Sequence, residues 1–379
     1  MEHNKLIFSK VPTLRFAEYT DEWHKYALSN FVTRITRRNK NNESSLPLTI
    51  SAQYGLVDQI TFFNKTVASV DLSGYYLLYN GDFAYNKSYS NDYAWGAVKR
   101  LDKYEKGCLS SLYFVFRPTD KVDSDYLTHY FETSKWHKGI SDIAGEGARN
   151  HGLLNMAVDD YFATKHYLPS LSEQKKIACF LNLITKRIEI QNKIISDLKV
   201  LKKELCRKML SSITEYKTLC ELCSITTGKL DANANTPDGL YPFFTCGKDT
   251  LSIDNYAFDG EAILIAGNGD IGHTKYYCGK FNAYQRTYVL MNFKADAQFI
   301  KMGIDTYLPQ KISEETQGGA MPYIKLSTLT LLKIPFATEE KQLSIRNHYN
   351  AIVKKVENEM KILDLLLQQK SYFLNAMFI

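Results

Sequence analysis

The sequence reads Leu168-Pro169-Ser170-Leu171-Ser172-Glu173-Gln174-Lys175 where one long helical pattern begins, and Ile334-Pro335-Phe336-Ala337-Thr338-Glu339-Glu340-Lys341 where a second begins. In both places the proline ends a strand-like segment, and an acidic residue falls in the first helical turn. Ser172 and Thr338 are the candidate N-caps. We therefore predict a duplicated chain, in which a globular segment followed by a long helix occurs twice.

Each helical pattern carries a heptad seam, in which apolar residues recur every seven positions in two series offset by three and four residues. The seam residues are Ile184, Ile188, Gln191, Ile195, Leu198, Lys202, Leu205 and Met209 in the first helix, and Ile352, Val356, Glu359, Leu363, Leu366, Lys370, Phe373 and Met377 in the second. One constant offset relates the two series, and even their polar members coincide. An apolar stripe is unstable without a partner, so we predict that the helices pair with each other as a coiled coil. The alternative is that each helix packs on its own domain.

The segments before the two helices correspond more loosely. Leu28-Ser29-Asn30-Phe31 resembles Leu219-Cys220-Glu221-Leu222, and the Gly81-Asp82 pair resembles Gly260-Glu261, both typical of turns that lead into strands. We predict an α/β (α+β) class with many loops. The expected domains are residues 1–167 and 214–334, and the expected long helices are residues 168–213 and 335–379.

Composition limits the class of protein. The 379 residues are 45% hydrophobic and 13% aromatic, which excludes a disordered or fibrous chain. The formal net charge of +6 permits a nucleic-acid partner without requiring one. Seven scattered cysteines favour a reducing compartment over a disulfide framework. The sequence shows no signal peptide and no apolar run of about 20 residues, so we expect a soluble, cytoplasmic protein.

Several motifs together resemble the specificity subunit of Type I restriction-modification systems. They are the opening Val11-Pro12-Thr13-Leu14-Arg15-Phe16 with Glu22-Trp23, the Leu-Pro-x-x-x-Glu-Gln start of a long helix, and the turn, strand and glycine pattern from Gly260 to Gly269. Their order and duplication extend over essentially the whole chain. The second helix departs from the pattern. Counted from the proline, Glu340 occupies the place of Gln174, whereas counted back from the seam Gln342 does.

The resemblance implies two target-recognition domains, each reading one half of a split double-stranded DNA sequence. It also implies that the two long helices pair antiparallel, hold the domains apart and give the chain a pseudo-twofold repeat. Two methylation subunits and the restriction subunits are the implied partners, without a membrane. The chain itself is expected to be non-catalytic and to hold no metal or cofactor, with S-adenosylmethionine, ATP and Mg only on partner subunits.

Sequence-specific binding needs polar side chains at base edges and basic ones on phosphates. The candidate DNA contacts lie where basic, amide and aromatic residues interleave in loop-like segments. They are Arg34, Arg37, Arg38, Lys40, Asn41, Tyr85, Asn86, Lys87, Tyr89, Arg149 and Asn150 in the first domain, and Lys248, Asn268, His273, Lys275 and Arg286 in the second. The alternative for each residue is ordinary solvated surface.

Two motif matches are set aside. Gly267-Asn268-Gly269-Asp270-Ile271-Gly272 fits the GxGxxG fingerprint, but a strand-like segment follows it instead of the helix that a phosphate site needs. Cys220-Glu221-Leu222-Cys223 fits CxxC, with Cys246 and Cys278 as possible further ligands. It lacks a second CxxC at zinc-ribbon spacing, and we expect buried apolar cysteines instead.

Two rival functions are open at this point. One is an autonomous nuclease that uses the chain's scattered carboxylates. The other is a protein scaffold whose helices bind other coils and whose domains do not touch DNA.

Overall fold

The computed structural model describes residues 10–65, 69, 71–89, 93–145, 152–316 and 323–379. The chain divides into two compact units. The first comprises Met1–Ile190 with Leu363–Ile379, and the second comprises Gln191–Ile362. Both units mix helices and strands, which confirms the predicted class. Each long helix contributes one part to each unit.

The first unit consists of short strands and short helices before the first long helix. In chain order they are β1 (His24–Ala27), a 3-10 helix (Leu28–Asn30), β2 (Val32–Arg34), β3 (Leu48–Ser51), β4 (Gly55–Asp58), α1 (Gln59–Phe63), β5 (Tyr76–Tyr79), β6 (Phe83–Asn86), β7 (Ala97–Arg100), β8 (Lys106–Leu109), β9 (Phe114–Pro118), α2 (Ser124–Tyr130), α3 (His137–Ile143), α4 (Val158–Ala163) and β10 (Lys165–Leu168). Its largest sheet is antiparallel with the order β2-β9-β6-β7, and β1–β10, β3–β4 and β5–β8 are further pairs.

Aromatic packing dominates the core of the first unit. Tyr85 on β6 stacks on Tyr161 of α4, with ring centroids 4.8 Å apart, and Phe83 stacks on Phe116 at 5.5 Å. Flat rings of this size bury much apolar area at little entropic cost, so they fix the sheet against the helices.

The second unit carries longer strands and one long internal helix. Its elements are β11 (Tyr216–Thr218), α6 (Leu219–Leu222), β12 (Ser224–Thr227), β13 (Tyr241–Phe244), β14 (Thr250–Ile253), β15 (Phe258–Ala266), β16 (Thr274–Ala283), β17 (Thr287–Met291), α7 (Ala297–Thr316), α8 (Leu326–Thr330) and β18 (Lys333–Pro335). The six-stranded sheet has the order β12-β17-β15-β16-β13-β14, and β11 pairs with β18. Apolar side chains of β15, α7 and α8 form one core cluster.

The two units repeat the same topology. The order β2-β9-β6-β7 corresponds to β12-β17-β15-β16, and the pair β1–β10 corresponds to β11–β18. The registers correspond as well, since Tyr85 faces Phe114 across β6 and β9 as Ile265 faces Tyr288 across β15 and β17. The internal repeat that the sequence predicts is therefore confirmed. The two Gly-acid pairs differ, however: Gly81 lies in a turn with φ of +86°, whereas Gly260 lies inside β15.

The long helices are α5 (Leu171–Ser211) and α9 (Glu339–Ala376). Helix α5 begins one residue after Ser170, whose hydroxyl accepts the Glu173 amide at 3.4 Å. The predicted N-cap Ser172 was therefore wrong, because that residue lies inside the helix. Thr338 does immediately precede α9 and accepts the first intrahelical bond from Gln342.

The sixteen residues of the predicted seam are all buried or half-buried, whereas neighbours such as Ile194 and Leu365 are exposed. In the first unit the ring of Phe180 on α5 lies 4.9 Å from that of Phe373 on α9. The helices therefore do pack on each other, and the alternative in which each packs only on its own domain is wrong.

In the second unit the polar members of the seam show the direction of pairing. Gln191 Nε2 donates to the Glu359 backbone carbonyl at 2.9 Å and to its Oε2 at 2.7 Å. Further along α5, Lys202 Nζ lies 5.6 Å from the ring centroid of Tyr349. Because residue numbers rise along α5 while they fall along α9, the two segments are antiparallel.

A glutamine near the start of each long helix ties that helix to its own unit. Gln174 Oε1 accepts the Asp123 amide at 2.8 Å, and its Nε2 donates to the Pro169 carbonyl at 3.0 Å. Gln342 makes the same two bonds, from the Asp296 amide at 3.0 Å and to the Ala337 carbonyl at 2.7 Å. Gln342, not Glu340, is therefore the counterpart of Gln174.

Candidate nucleic-acid interface

In the second unit, the five candidate residues come together at one end of the six-stranded sheet. Hydrogen bonds join the three loops that carry four of them, and Lys275 lies on β16: Gly267 donates to the Arg286 carbonyl at 3.0 Å, and Asp270 donates to that of Cys246 at 3.1 Å. Lys275 Nζ also reaches the Asp249 carbonyl at 3.0 Å. Residues far apart in sequence thus form one basic and amide-bearing surface.

The side chains of this surface differ in their exposure and in their contacts with the rest of the unit. Lys248, His273 and Arg286 are exposed, and Asn268 is half-buried. Lys275 is held over the ring of Phe244, and its partial burial lowers its pKa. The three exposed side chains are available to a ligand.

The turn between β15 and β16 shapes this end of the sheet. Gly269 and Gly272 have φ of +62° and +75°, a backbone region that side chains disfavour. Strand β16 follows directly at Thr274, so the turn leads into a strand and not into a helix. The expectation that a strand follows the GxGxxG match is confirmed.

In the first unit a second group lies at the end of β6. The Lys87 carbonyl accepts the Leu154 amide, and Tyr89 donates to Gly152, both at 3.0 Å. Lys87 Nζ lies 4.8 Å from the ring centroid of Phe114, and burial lowers its pKa. Asn86 is half-buried and Tyr89 is exposed. Arg149 and Asn150 lie outside the described residues.

The same backbone bond recurs in the second unit, where Ile324 donates to the Gly267 carbonyl at 2.8 Å. The register of the central strands makes Lys87 and Gly267 equivalent positions. Both repeats therefore place candidate contacts at the same strand end.

The basic run of the first unit divides into free and held residues. Arg34, Lys40 and Asn41 are exposed. Arg38 lies 4.4 Å from the ring centroid of Tyr76 and donates to a backbone carbonyl. Arg37 binds Asp82 at 2.9 Å. The first three are available to phosphates, whereas Arg37 and Arg38 are partly committed to the fold.

Two features of this region were not predicted. Tyr85 is fully buried, and its hydroxyl donates to the Trp95 carbonyl at 2.8 Å, so naming it as a DNA contact was wrong. Asp82 is also fully buried and binds both Arg37 and Arg117, the latter at 2.6 Å. The only signal in the sequence was the acidic residue that follows Gly81.

The cysteines follow the expectation only in part. Cys223 and Cys246 are buried, but Cys220 and Cys278 are exposed, so the expectation of buried cysteines was wrong for those two. Among the described residues, no three His, Cys, Asp or Glu side chains are grouped so that they could hold a metal ion. In the same part of the chain, every helix is too short or too polar to cross a bilayer.

These observations define a class of protein: a duplicated mixed α and β chain with two long paired helices, a basic loop cluster in the second unit, and candidate contacts at the equivalent strand end of the first. Residues 213–368 match the family described as Type I restriction modification DNA specificity domain. The match covers less than half of the chain, and it confirms the resemblance found in the sequence motifs.

A curated relative gives a more specific match. Over 164 residues the chain is 37% identical to the Type I restriction enzyme EcoDI specificity subunit of Escherichia coli. The match covers 43% of this chain and 36% of that subunit, so it spans little more than a third of the relative's length.

Solved structures extend the similarity in fold over nearly the whole chain. The S subunit of a Type I restriction-modification system from M. genitalium is 18% identical, covers 97% of this chain and 99% of its own, and has a TM-score of 0.56. A chain from a structure on complex assembly and conformational transition of the type I R-M system is 16% identical. It covers 93% of this chain and 96% of its own, with a TM-score of 0.59. At these identities the similarity shows the shared fold.

Proposed function

We propose that this chain is the non-catalytic DNA-specificity subunit of a Type I restriction-modification complex and recognises a bipartite double-stranded DNA target. One observation carries the proposal: two units of the same topology present basic and amide-bearing loops at the same strand end, with different residues in each. Equivalent positions with different side chains suit two half-sites of different sequence.

The boundaries of the recognition domains are part of the proposal. Residues 1–167 and 214–334 read the half-sites, and the helices in 168–213 and 335–379 set the unread gap between them. A helix of 41 residues such as α5 is about 60 Å long, and DNA advances about 34 Å per turn. Inserting helical turns should therefore lengthen the gap and leave both half-sites unchanged.

The partners follow from the same proposal. The paired helices form a scaffold for two methylation subunits, and restriction subunits join the complex. S-adenosylmethionine, ATP and Mg are bound by those partners, and the complex acts on DNA in the cytoplasm.

The decisive experiment sequences methylated bases in cells that carry this chain with its methylation subunits. The expected result is one bipartite motif with a fixed unread gap, which disappears when this chain is omitted. Methylation without a motif, or a motif that persists without this chain, would refute the proposal. Metal-dependent cleavage by the purified chain alone would support the nuclease rival instead.

Phosphate contacts can be tested on the assembled complex. Arg34→Ala and Lys40→Ala remove exposed cations of the first unit. Each should make the negative slope of log binding constant against log salt concentration shallower by about 1. Arg207→Ala is a matched control, because Arg207 is exposed on α5 and pairs with Glu204 at 3.2 Å. Equal slopes for all three variants and the wild type would exclude Arg34 and Lys40 from the interface.

A further inference from the structure

A pocket in the second unit adjoins the basic loop cluster. Its volume is about 540 Å³, and Gln285, Arg286, Tyr288, Tyr323 and Lys325 are among its lining residues. The walls are fixed by hydrogen bonds: the Tyr288 hydroxyl donates to the Ile324 carbonyl at 2.8 Å, and the Gln285 backbone N–H donates to the Leu230 carbonyl at 2.9 Å. The pocket is therefore formed before any ligand arrives.

The repeat explains why the second unit has this space. In the first unit, the Lys87 side chain lies across the ring of Phe114. The equivalent positions in the second unit are Gly267 and Tyr288, so no side chain covers the ring of Tyr288 from that position. A Cβ on Gly267 would lie 2.5 Å from the Arg286 carbonyl oxygen and 3.2 Å from the Tyr288 ring, so the close approach of these strands requires glycine.

The chemistry of the lining suits a nucleotide. Arg286, Gln285 and Lys325 are exposed and contribute two positive charges, and no carboxylate is among the lining residues that the structure describes. Arginine and glutamine are the side chains that read guanine and adenine edges with paired hydrogen bonds, and lysine suits a phosphate. Tyr323 is 60% exposed at the rim, where its ring can contact a base or sugar.

The first unit has different side chains at the same places. The register that matches Phe114 with Tyr288 places Leu112 at the position of Arg286 and Ser111 at that of Gln285. Leu112 is 64% exposed and has no hydrogen-bonding group. The two repeats thus have different side chains at the positions proposed to read bases, while their strand registers agree.

We propose that Arg286 and Gln285, in the pocket floored by Gly267, are specificity-determining residues that read adjacent base pairs of the half-site bound by the second unit. Tyr323 and Lys325 hold the sugar and phosphate beside those bases. This inference rests on the proposed function and adds to it the group that distinguishes the second half-site from the first.

The test maps methylated motifs for complexes that contain Arg286→Ala or Gln285→Ala, with Arg207→Ala as the control that removes the same charge elsewhere. Each pocket variant should relax one base position, or two adjacent ones, in one half-site by about ten- to a hundred-fold, and leave the other half-site unchanged. Because both side chains are exposed, the unfolding temperature should stay at the wild-type value.

Other outcomes contradict the inference. Unchanged base preference, or a uniform loss of affinity with preference intact, would make these residues backbone contacts or bystanders. Relaxation in both half-sites would also overturn it. If instead the wild-type complex yields no bipartite motif, the proposed function itself fails, so the two failures are distinguishable. As a reciprocal test, Leu112→Arg should alter preference in the other half-site.

Discussion

Replacing Gln174 or Gln342 with leucine tests whether the two repeats attach their long helices in the same way. Both side chains are almost fully buried, with 1% and 4% exposure, and each satisfies one backbone N–H and one backbone carbonyl. Leucine has nearly the same size but bonds neither group. An unsatisfied buried polar group costs about 1–3 kcal/mol, so two of them cost about 2–6 kcal/mol in each variant.

Urea unfolding measures this loss, and the chain offers a probe confined to one unit. Its three tryptophans, Trp23, Trp95 and Trp136, all belong to the first unit, so fluorescence follows that unit while far-ultraviolet circular dichroism follows both. We expect Gln174→Leu to lower the urea midpoint measured by fluorescence. We expect Gln342→Leu to lower the urea midpoint of the dichroism change that has no counterpart in fluorescence and therefore comes from the second unit.

The matched control is Gln369→Leu, at an exposed position of α9, which should change the free energy of unfolding by less than about 0.5 kcal/mol. If Gln342→Leu behaves like this control while Gln174→Leu is strongly destabilising, the two glutamines are not equivalent, and the assignment of Gln342 is refuted.

Three further predictions concern stability. Glu173→Ala should lower the free energy of unfolding by about 3–5 kcal/mol, because Glu173 is 1% exposed and binds Arg15 through two bonds of 2.7 Å. Lys341→Ala, at the equivalent but exposed position, should be near neutral. Similar urea midpoints for the two variants would contradict this. Burial, with a smaller effect of Lys25, lowers the pKa of His166 to about 4, so its neutral form is favoured in the folded chain. The free energy of unfolding should therefore be highest above about pH 6.5 and should fall by about 3 kcal/mol as the pH falls towards 4. Fluorescence-monitored unfolding should show a flatter pH profile for His166→Gln. Ile195→Ala in the seam should cost about 2–5 kcal/mol, and Ile194→Ala, one residue away but exposed, should cost less than about 0.5 kcal/mol; equal losses in thermal unfolding would disprove the seam register.

Sequence periodicity was sufficient for the helices because it is a local property. Residues three, four and seven apart share a helix face whatever surrounds them, so the seam from Ile184 to Met209 and its counterpart followed from spacing alone. The start of α9 could not be aligned in the same way. Glu340 and Gln342 both fitted the pattern, and it is the bonds of Gln342 to the Asp296 amide and the Ala337 carbonyl that distinguish them.

The candidate contacts were less predictable, because a strand presents alternate residues to opposite faces and the sequence does not say which face is covered. Tyr85 looked like its neighbours Asn86 and Lys87, but it faces the aromatic core formed with Tyr161. Arg37 looked like a free cation, yet the buried carboxylate of Asp82 holds it. Such partners are distant in sequence, and their pairing depends on the fold of the whole unit.

The antiparallel contacts in the second unit limit how such a chain can change in size. Between Gln191 and Lys202, α5 faces the stretch of α9 between Tyr349 and Glu359. An insertion in one of these stretches alone would leave every following side chain opposite the wrong neighbour. Related chains whose paired helices are longer should therefore have gained the same number of residues in both stretches, so that evolution lengthens the two helices together or not at all.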